Sequence, residues 1–323
     1  MPYFPLAPWT TAHQLSSTLS RLEEAYGDRP CFVGLAEKEW DVATRPVHAQ
    51  LDDLRNPADG YRAWYEFVSR FPNFVPQVQL EDPGQLDVQV GRLRSLNRGL
   101  LIVVGQPLFD RITALEVLVN RISQLTDGGN DALFLLDLGK VNNDILNWEF
   151  RTVPYAATIM QQAPNSFALI SASSFPEGFT GISEQEIFER KFFIVARKYF
   201  GGRLIYSDRG SARAERQSGG GGAPAPRIDF ATKDKWTFFR SDDEGDRAKS
   251  YFSMARRAMA SVDWDPKLNI WGTQMIQRTA LEDHSAIISP KRSTAARINI
   301  HLHRQLFYDD SAGQYNTDDP WTD

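Results

Sequence analysis

The sequence predicts an α/β protein: a (β/α)8 TIM-type barrel with a C-terminal appendage, or alternatively a doubly wound open sheet. Three observations carry the prediction. Short apolar runs such as Leu100–Val104 and Leu133–Leu138 suit strands buried on both faces. Segments with apolar residues at helical spacing lie between them. The two kinds alternate at roughly 30–45 residues per unit, the rhythm of parallel strands joined by right-handed helical crossovers.

In chain order, Tyr3 to Pro8 reads as a first strand and residues 11–26 as a helix through Leu15, Leu19 and Leu22. Cys31 to Leu35 is a second strand, followed by a polar connection. Asp59 to Arg70 is a helix with Tyr61, Trp64, Tyr65 and Val68 on one face. Phe74 to Leu80 is a third strand, weakened by Pro76. Helix 84–97, strand 100–104, helix 110–125 and strand 133–138 come next. A helical region over 144–162 is one that Pro154 should kink or split.

The stretch 166–210 is the most explicit. Phe167 to Ala172 is a strand. Ser183 and Glu186 have the spacing of a capping box that would open a helix running to Lys198. Gly201-Gly202 ends that helix, and Leu204 to Tyr206 resumes a strand. Arg227 to Arg240 adds strand material, and 246–261 a helix. The predicted organisation is a barrel over 1–262 with a mobile glycine–proline loop at 211–225, an appendage over 263–308, and an acidic flexible tail over 309–323.

Composition narrows the classes. Hydrophobic residues make up 42% of the chain and aromatic residues 12%, enough for a sizeable core. No apolar run approaches the ~18 residues of a membrane span, and MPYFPLAPW lacks the form of a secretory signal. Cys31 stands alone, inside an apolar strand, as a buried inert thiol in a reducing, cytoplasmic setting. The net charge of −5 is concentrated in Asp309, Asp310, Asp318, Asp319 and Asp323, so the body is formally neutral and no general nucleic-acid magnet. No GxGxxG or GxxxxGK[ST] follows a strand, and there is no GxSxG elbow. No complete catalytic motif is present, and the residues leave any cofactor unknown.

In a barrel the working face lies at the C-terminal ends of the strands. The ligand-binding candidates are therefore Asp137 and Lys140 after one strand, Ser173 and Ser174 after the next, Ser207, Asp208 and Arg209 after another, and Arg240 at the end of the last. Glu81, Asp82 and Gln106 share that edge. Asp137, Asp208 and Glu81 have the oxygen chemistry of a divalent-cation site; Lys140, Arg209 and the hydroxyls suit an anion. His301 and His303, two apart in a strand, would face the same side, with packing favoured over metal binding. Glu189-Arg190 reads as an interhelix ion pair. Arg209, Arg213 and Arg216 offer a phosphate-contacting loop through which nucleic acid could be held.

Several segments, in order, carry a resemblance: SSFP at 173–176, Glu189-Arg190, YSDRG at 206–210, PRIDFATKDKWTFFR at 226–240, WGTQMI at 271–276 and ARINIHLHRQL at 296–306. Together they resemble the bacterial and phage beta family proteins, named for a phage T4 beta protein. The resemblance implies a β/α barrel found near phage-defence genes, and carries no established reaction. Relatives bear a Lys and a Glu before the first helix; here LAPWTTAH at 6–13 has neither. The expected function is that of a defence-associated protein that binds a ligand or a protein partner, as a sensor or accessory subunit. The alternative is a metal-dependent hydrolase for a phosphate-containing substrate.

Overall fold

A computed structural model describes residues 1–105, 111–147, 149–214, 224–241 and 245–317, without side-chain detail for 149–152. Gln106, Arg216, Trp321 and the loop centre at 215–223 lie outside the described residues.

The protein is mixed α/β, with parallel sheets and ten helices among those residues. The elements run β1 (Tyr3–Leu6), α1 (Leu15–Tyr26), β2 (Cys31–Leu35), α2 (Pro46–Leu54), α3 (Ala58–Ser69), β3 (Phe74–Pro76), α4 (Leu86–Arg94), β4 (Leu100–Val104), α5 (Ile112–Leu125) and β5 (Ala132–Lys140). They continue with α6 (Glu149–Gln162), β6 (Phe167–Ser173), β7 (Glu184–Glu186), α7 (Phe188–Phe200), β8 (Leu204–Tyr206), β9 (Arg227–Ala231), β10 (Lys235–Arg240), α8 (Arg247–Met259), α9 (Trp271–Ala280) and α10 (Pro290–Leu306). None of these helices is long and apolar enough to cross a membrane.

The chain forms two compact units. The first holds residues 1–137, 150–170 and 199–205; the second holds 138–149, 171–198 and 206–323.

In the first unit, β1, β2 and β3 pair in parallel in that order, with Cys31 opposite Phe74 and Val33 opposite Pro76. A parallel bridge between Gln77 and Leu101 leads on to the order β4-β5-β6-β8, with Leu100 opposite Ala132 and Val104 opposite Leu136. Val33, Leu100, Leu101, Ile102, Phe134 and Leu136 are buried, as a sheet covered on both faces requires. Pro76 is accommodated because it is the last residue of β3. Beyond it a side chain takes over the ladder: the Gln79 N–H donates to Gln89 Oε1 at 2.7 Å, and Gln89 Nε2 donates back to the Gln79 carbonyl at 2.9 Å. Cys31 is fully buried, and burial pushes its thiol up. Pro154 lies inside α6, which runs on through it unsplit. The connection after β2 contains α2, which opens on Pro46 at its first position.

The second unit is built on an antiparallel sheet, β7-β10-β9, where the repeating pattern predicted more parallel strand. Its core includes Phe175, Ile228, Phe230, Trp236, Phe238, Tyr251 and Ile300. Helix α10 packs on β9 and on α9, and α9 packs on α8. A side chain at Gly272 would meet the Ala296 carbonyl at 2.6 Å, so glycine is what lets α9 approach α10.

Two local expectations are overturned. The proposed capping box at Ser183 and Glu186 does not start a helix: residues 184–186 form β7, with Lys235 opposite Glu186 and Thr237 opposite Glu184. Pairing with β10 outweighs the local cap signal. The segment holding His301 and His303 is helix, not strand. It begins at Ser289, whose hydroxyl accepts the Arg292 N–H, with Pro290 at the first helical position.

Candidate functional site

The site grows from the start of α7. Its first N–H, that of Phe188, donates to Ser174 Oγ at 3.0 Å, so a serine from the end of β6 supplies the cap that Ser183 does not. Ser174 Oγ in turn donates to Glu189, and the Ser174 N–H donates to Glu189 Oε2 at 3.1 Å. Glu189 is 3% exposed. Burial pushes its carboxyl up to about 7; the Ser174 hydrogen bonds oppose that shift and the nearby Asp208 charge adds to it.

Asp208 is the second carboxylate, and it shifts the other way. Its Oδ1 accepts the Gly210 N–H at 2.7 Å. Its Oδ2 accepts the Tyr206 hydroxyl at 2.8 Å and His301 Nε2 at 2.7 Å. Burial alone would raise it, but His301 and these donors outweigh burial and hold it below the usual carboxylate range. Trp236 stacks on the His301 ring at 5.5 Å and donates its indole N–H to Ser211 Oγ at 2.9 Å. Two buried carboxylates with protonation pushed apart make a setting for holding and moving a proton near neutral pH.

The buried Arg190 lies within the field of Asp208, and two more guanidiniums, the buried Arg297 and the half-buried Arg227, share Asp229. Arg190 sits 3.4 Å from the Tyr206 ring centroid and 4.3 Å from that of Tyr308, and donates to Gln305 Oε1 at 2.6 Å. Arg297 donates to Asp229 Oδ2 at 3.0 Å and to the Ser211 carbonyl at 3.2 Å. Arg227 donates to the same Asp229 oxygen at 2.7 Å. Despite these partners, burial dominates and raises the Asp229 carboxyl.

A pocket of about 410 Å³ opens over Ser174, lined by Lys140, Asn142, Asn143, Glu177, Gln185 and Phe188 among others. A second, of about 420 Å³, has Lys233, Asp263, Asp265, Arg304 and Tyr315 on its walls. There Arg304 and the Tyr315 hydroxyl both reach Asp265, at 3.0 and 2.7 Å.

Of the candidates read from the sequence, the second unit brings Lys140 and Ser174 to one pocket, with Lys140 paired to Glu177 at 2.8 Å. Ser173 Oγ donates to the Ala212 carbonyl at 2.6 Å. Ser207 is half-buried beside Asp208. Arg209 reaches the Ala214 carbonyl at 3.2 Å, and Arg240 reaches Thr180 Oγ1 at 3.3 Å. Asp137 is half-buried in β5 and belongs to the first unit, as do Glu81 and Asp82.

The histidines part company, because residues two apart on a helix point in different directions. His301 is buried on Asp208, whereas His303 Nε2 lies 2.8 Å from the Gln314 carbonyl. Among the described residues no group of three or more His, Cys, Asp or Glu is arranged to hold a metal ion. The sequence reading missed Glu189 as a Ser174 partner and Arg190 as a tyrosine-stacked core residue. The one signal that pointed to them was two adjacent charges on the apolar helix face that also carries Phe192, Phe193 and Ala196.

Comparison with known proteins adds an ancestry. No solved structure matches the chain. Protein beta of Enterobacteria phage P4 is 25% identical over 316 residues, covering 95% of this chain and 85% of that protein. The relative found is thus a P4 protein, where the resemblance pointed to T4. The model of the family described as Beta protein matches residues 1–307, which takes in the first unit, most of the second and every charged group of the cluster; the chain belongs to the Beta protein family.

Proposed function

We propose that the protein acts by binding, as a defence-associated sensor or accessory subunit that seats a ligand or a protein partner on its second unit. The observation that carries this reading is the pocket over Ser174, whose polar lining rests on a fixed hydrogen-bonded frame. Lys140 and Ser174 would touch the ligand, while Ser173, Ser207, Asp208, Arg209 and Arg240 would hold the surrounding loops. Asp137 keeps its place as a candidate on the first unit. The phage origin of the P4 relative fits a role against phage. The sequential strand order of the first unit supports a β/α barrel as the scaffold.

The metal-hydrolase alternative has less support. Asp208 already commits Oδ1 to Gly210 and Oδ2 to Tyr206 and His301, which leaves it poorly placed to ligate a cation.

The test is a phage-plaque assay on Lys140→Glu, with melting temperature measured on the same protein. Loss of protection with unchanged melting is the expected result. Full protection by a folded Lys140→Glu protein would remove the pocket from consideration.

A further inference from the structure

The loop after Ser174 carries Phe179, and two arginines converge on its ring. The Arg227 guanidinium lies 3.3 Å from the Phe179 centroid and that of Arg213 lies 5.5 Å from it. Behind them Arg297 sits 4.2 Å from the ring of Phe175, which is itself 5.7 Å from Phe179. Three guanidiniums therefore crowd one aromatic pair.

Among the described residues the negative charge provided for them is small. Asp229 receives both Arg227 and Arg297 on a single oxygen and is fully enclosed. Glu177, a further carboxylate whose charge reaches Arg213, is also paired to Lys140. The guanidiniums feel one another. Arg213 is held below its ordinary value by burial and then by Arg227; Arg297 is held below its own by burial, with Arg227 and Arg213 adding to the effect against the opposing pull of Asp229.

Donors are left over as well. Arg213 gives Nε to the Pro176 carbonyl at 3.3 Å, and Arg227 gives Nε to Asp229. Among the described residues, no acceptor is hydrogen-bonded to the Nη nitrogens of either side chain. One edge of each planar fork is thus without an acceptor among the described residues, and the Arg227 side chain is 21% exposed.

We propose that Arg213 and Arg227, stacked on Phe179 and backed by Arg297, form a seat for one phosphoryl group of a small phosphate-bearing ligand. Paired guanidinium forks match the oxygens of a phosphoryl group, and an excess of positive charge favours a dianion over a carboxylate. A nucleic acid fits less well. A strand needs a row of exposed cations along its backbone and aromatic faces open to its bases; here the cations are gathered at one point and the ring is covered by arginines. The seat adjoins the pocket over Ser174 through Pro176, which lines that pocket and accepts from Arg213. The proposal rests on the binding reading above and names the chemical class of the ligand.

The test uses the full chain. Inorganic phosphate, adenosine triphosphate and a short single-stranded oligonucleotide are titrated calorimetrically at constant ionic strength, with chloride as the reference anion. Phosphate or the triphosphate should bind where chloride does not, and Arg213→Gln should lose about tenfold or more in affinity. Arg213 is the residue to change because Arg227 and Arg297 also neutralise the enclosed Asp229. Should Arg213→Gln fail to fold, Arg213→Lys keeps the charge without the fork and should bind several-fold more weakly. The proposal is overturned if chloride matches phosphate, if a folded Arg213 variant binds as the parent does, or if the oligonucleotide alone binds. Plaque protection by the same variant separates the two readings. Lost phosphate binding with intact protection leaves the seat standing and removes the functional reading of the second unit.

Discussion

The first unit buries Gln79, Gln89, Ser123, Thr126, Ser166 and His48 as its polar side chains, and no Asp, Glu, Lys or Arg among the described residues. The second buries Glu189, Arg190, Asp229, Arg297 and Arg304, with Asp208 close behind at 7% side-chain exposure. Ion pairs in the first unit, such as Arg121 with Asp87 and Arg94 with Asp127, stay at its surface. Enclosing charges costs several kcal/mol each in desolvation, and well-packed apolar residues in their place are often as stable. The first unit thus follows the rules of a stable sheet protein. The second departs from them around one cluster, which is where a binding role would show.

The contrast can be broken most sharply at Arg297. Arg297→Ala should leave Asp229 enclosed with Arg227 as its remaining cation, and should lower stability by about 3–5 kcal/mol in urea unfolding. Replacing Arg297, Asp229 and Arg227 together by apolar residues of similar volume should recover most of that loss. If the triple replacement is as unstable as the single one, the charges are integral to the fold and the contrast loses its functional meaning.

A second effect follows from Glu189. Its folded value of about 7 lies above the ordinary 4.5, so the native state holds the proton more tightly than the unfolded chain. The stability this contributes is whole below pH about 4.5 and is lost as pH rises to about 7, on the order of 3 kcal/mol. Melting temperature should therefore fall between about pH 5 and 7, and Glu189→Gln should flatten that slope. Asp208, shifted down, acts below its ordinary 3.8, outside this window. An unchanged slope in the variant would assign the pH dependence to other groups.

In the first unit the largest polar effect should come from Gln89→Leu, which strands the N–H and carbonyl of Gln79. The expected loss is about 1–3 kcal/mol, with no pH dependence between about 5 and 7. At the bottom of the scale, Arg121→Gln should leave the urea midpoint where it is, since its pair with Asp87 is solvent-exposed.

Much of the first unit was legible because local and tertiary signals agree there. The runs Cys31–Leu35 and Leu100–Val104 are strands at the predicted bounds, and the helix through Leu115 and Val119 follows its apolar spacing. Helix α2 was hidden because a polar stretch precedes it. The second unit misled wherever distant contacts decide. Ile298-Asn299-Ile300-His301 alternates like a strand, yet it is helix; the Ser289-Pro290 start was the signal available. At residues 184–186 a capping pattern lost to pairing with a strand some fifty positions on. The cluster itself could not be read: Arg190 meets Gln305 across 115 positions, and Asp208 meets His301 across 93.

The borrowed cap of α7 has a consequence for how this segment comes into being. A helix of 13 residues is marginal alone in water, and this one takes a hydrogen-bond partner for its first N–H from Ser174, 14 positions upstream. A synthetic peptide of residues 183–200 should therefore be mostly coil, and extending it back to 171 should raise its helicity only once the turn at 174–187 can close. During synthesis Ser174 leaves the ribosome before Phe188, so the acceptor is already waiting when the helix emerges. The helix thus forms only once the end of β6 and the start of α7 meet.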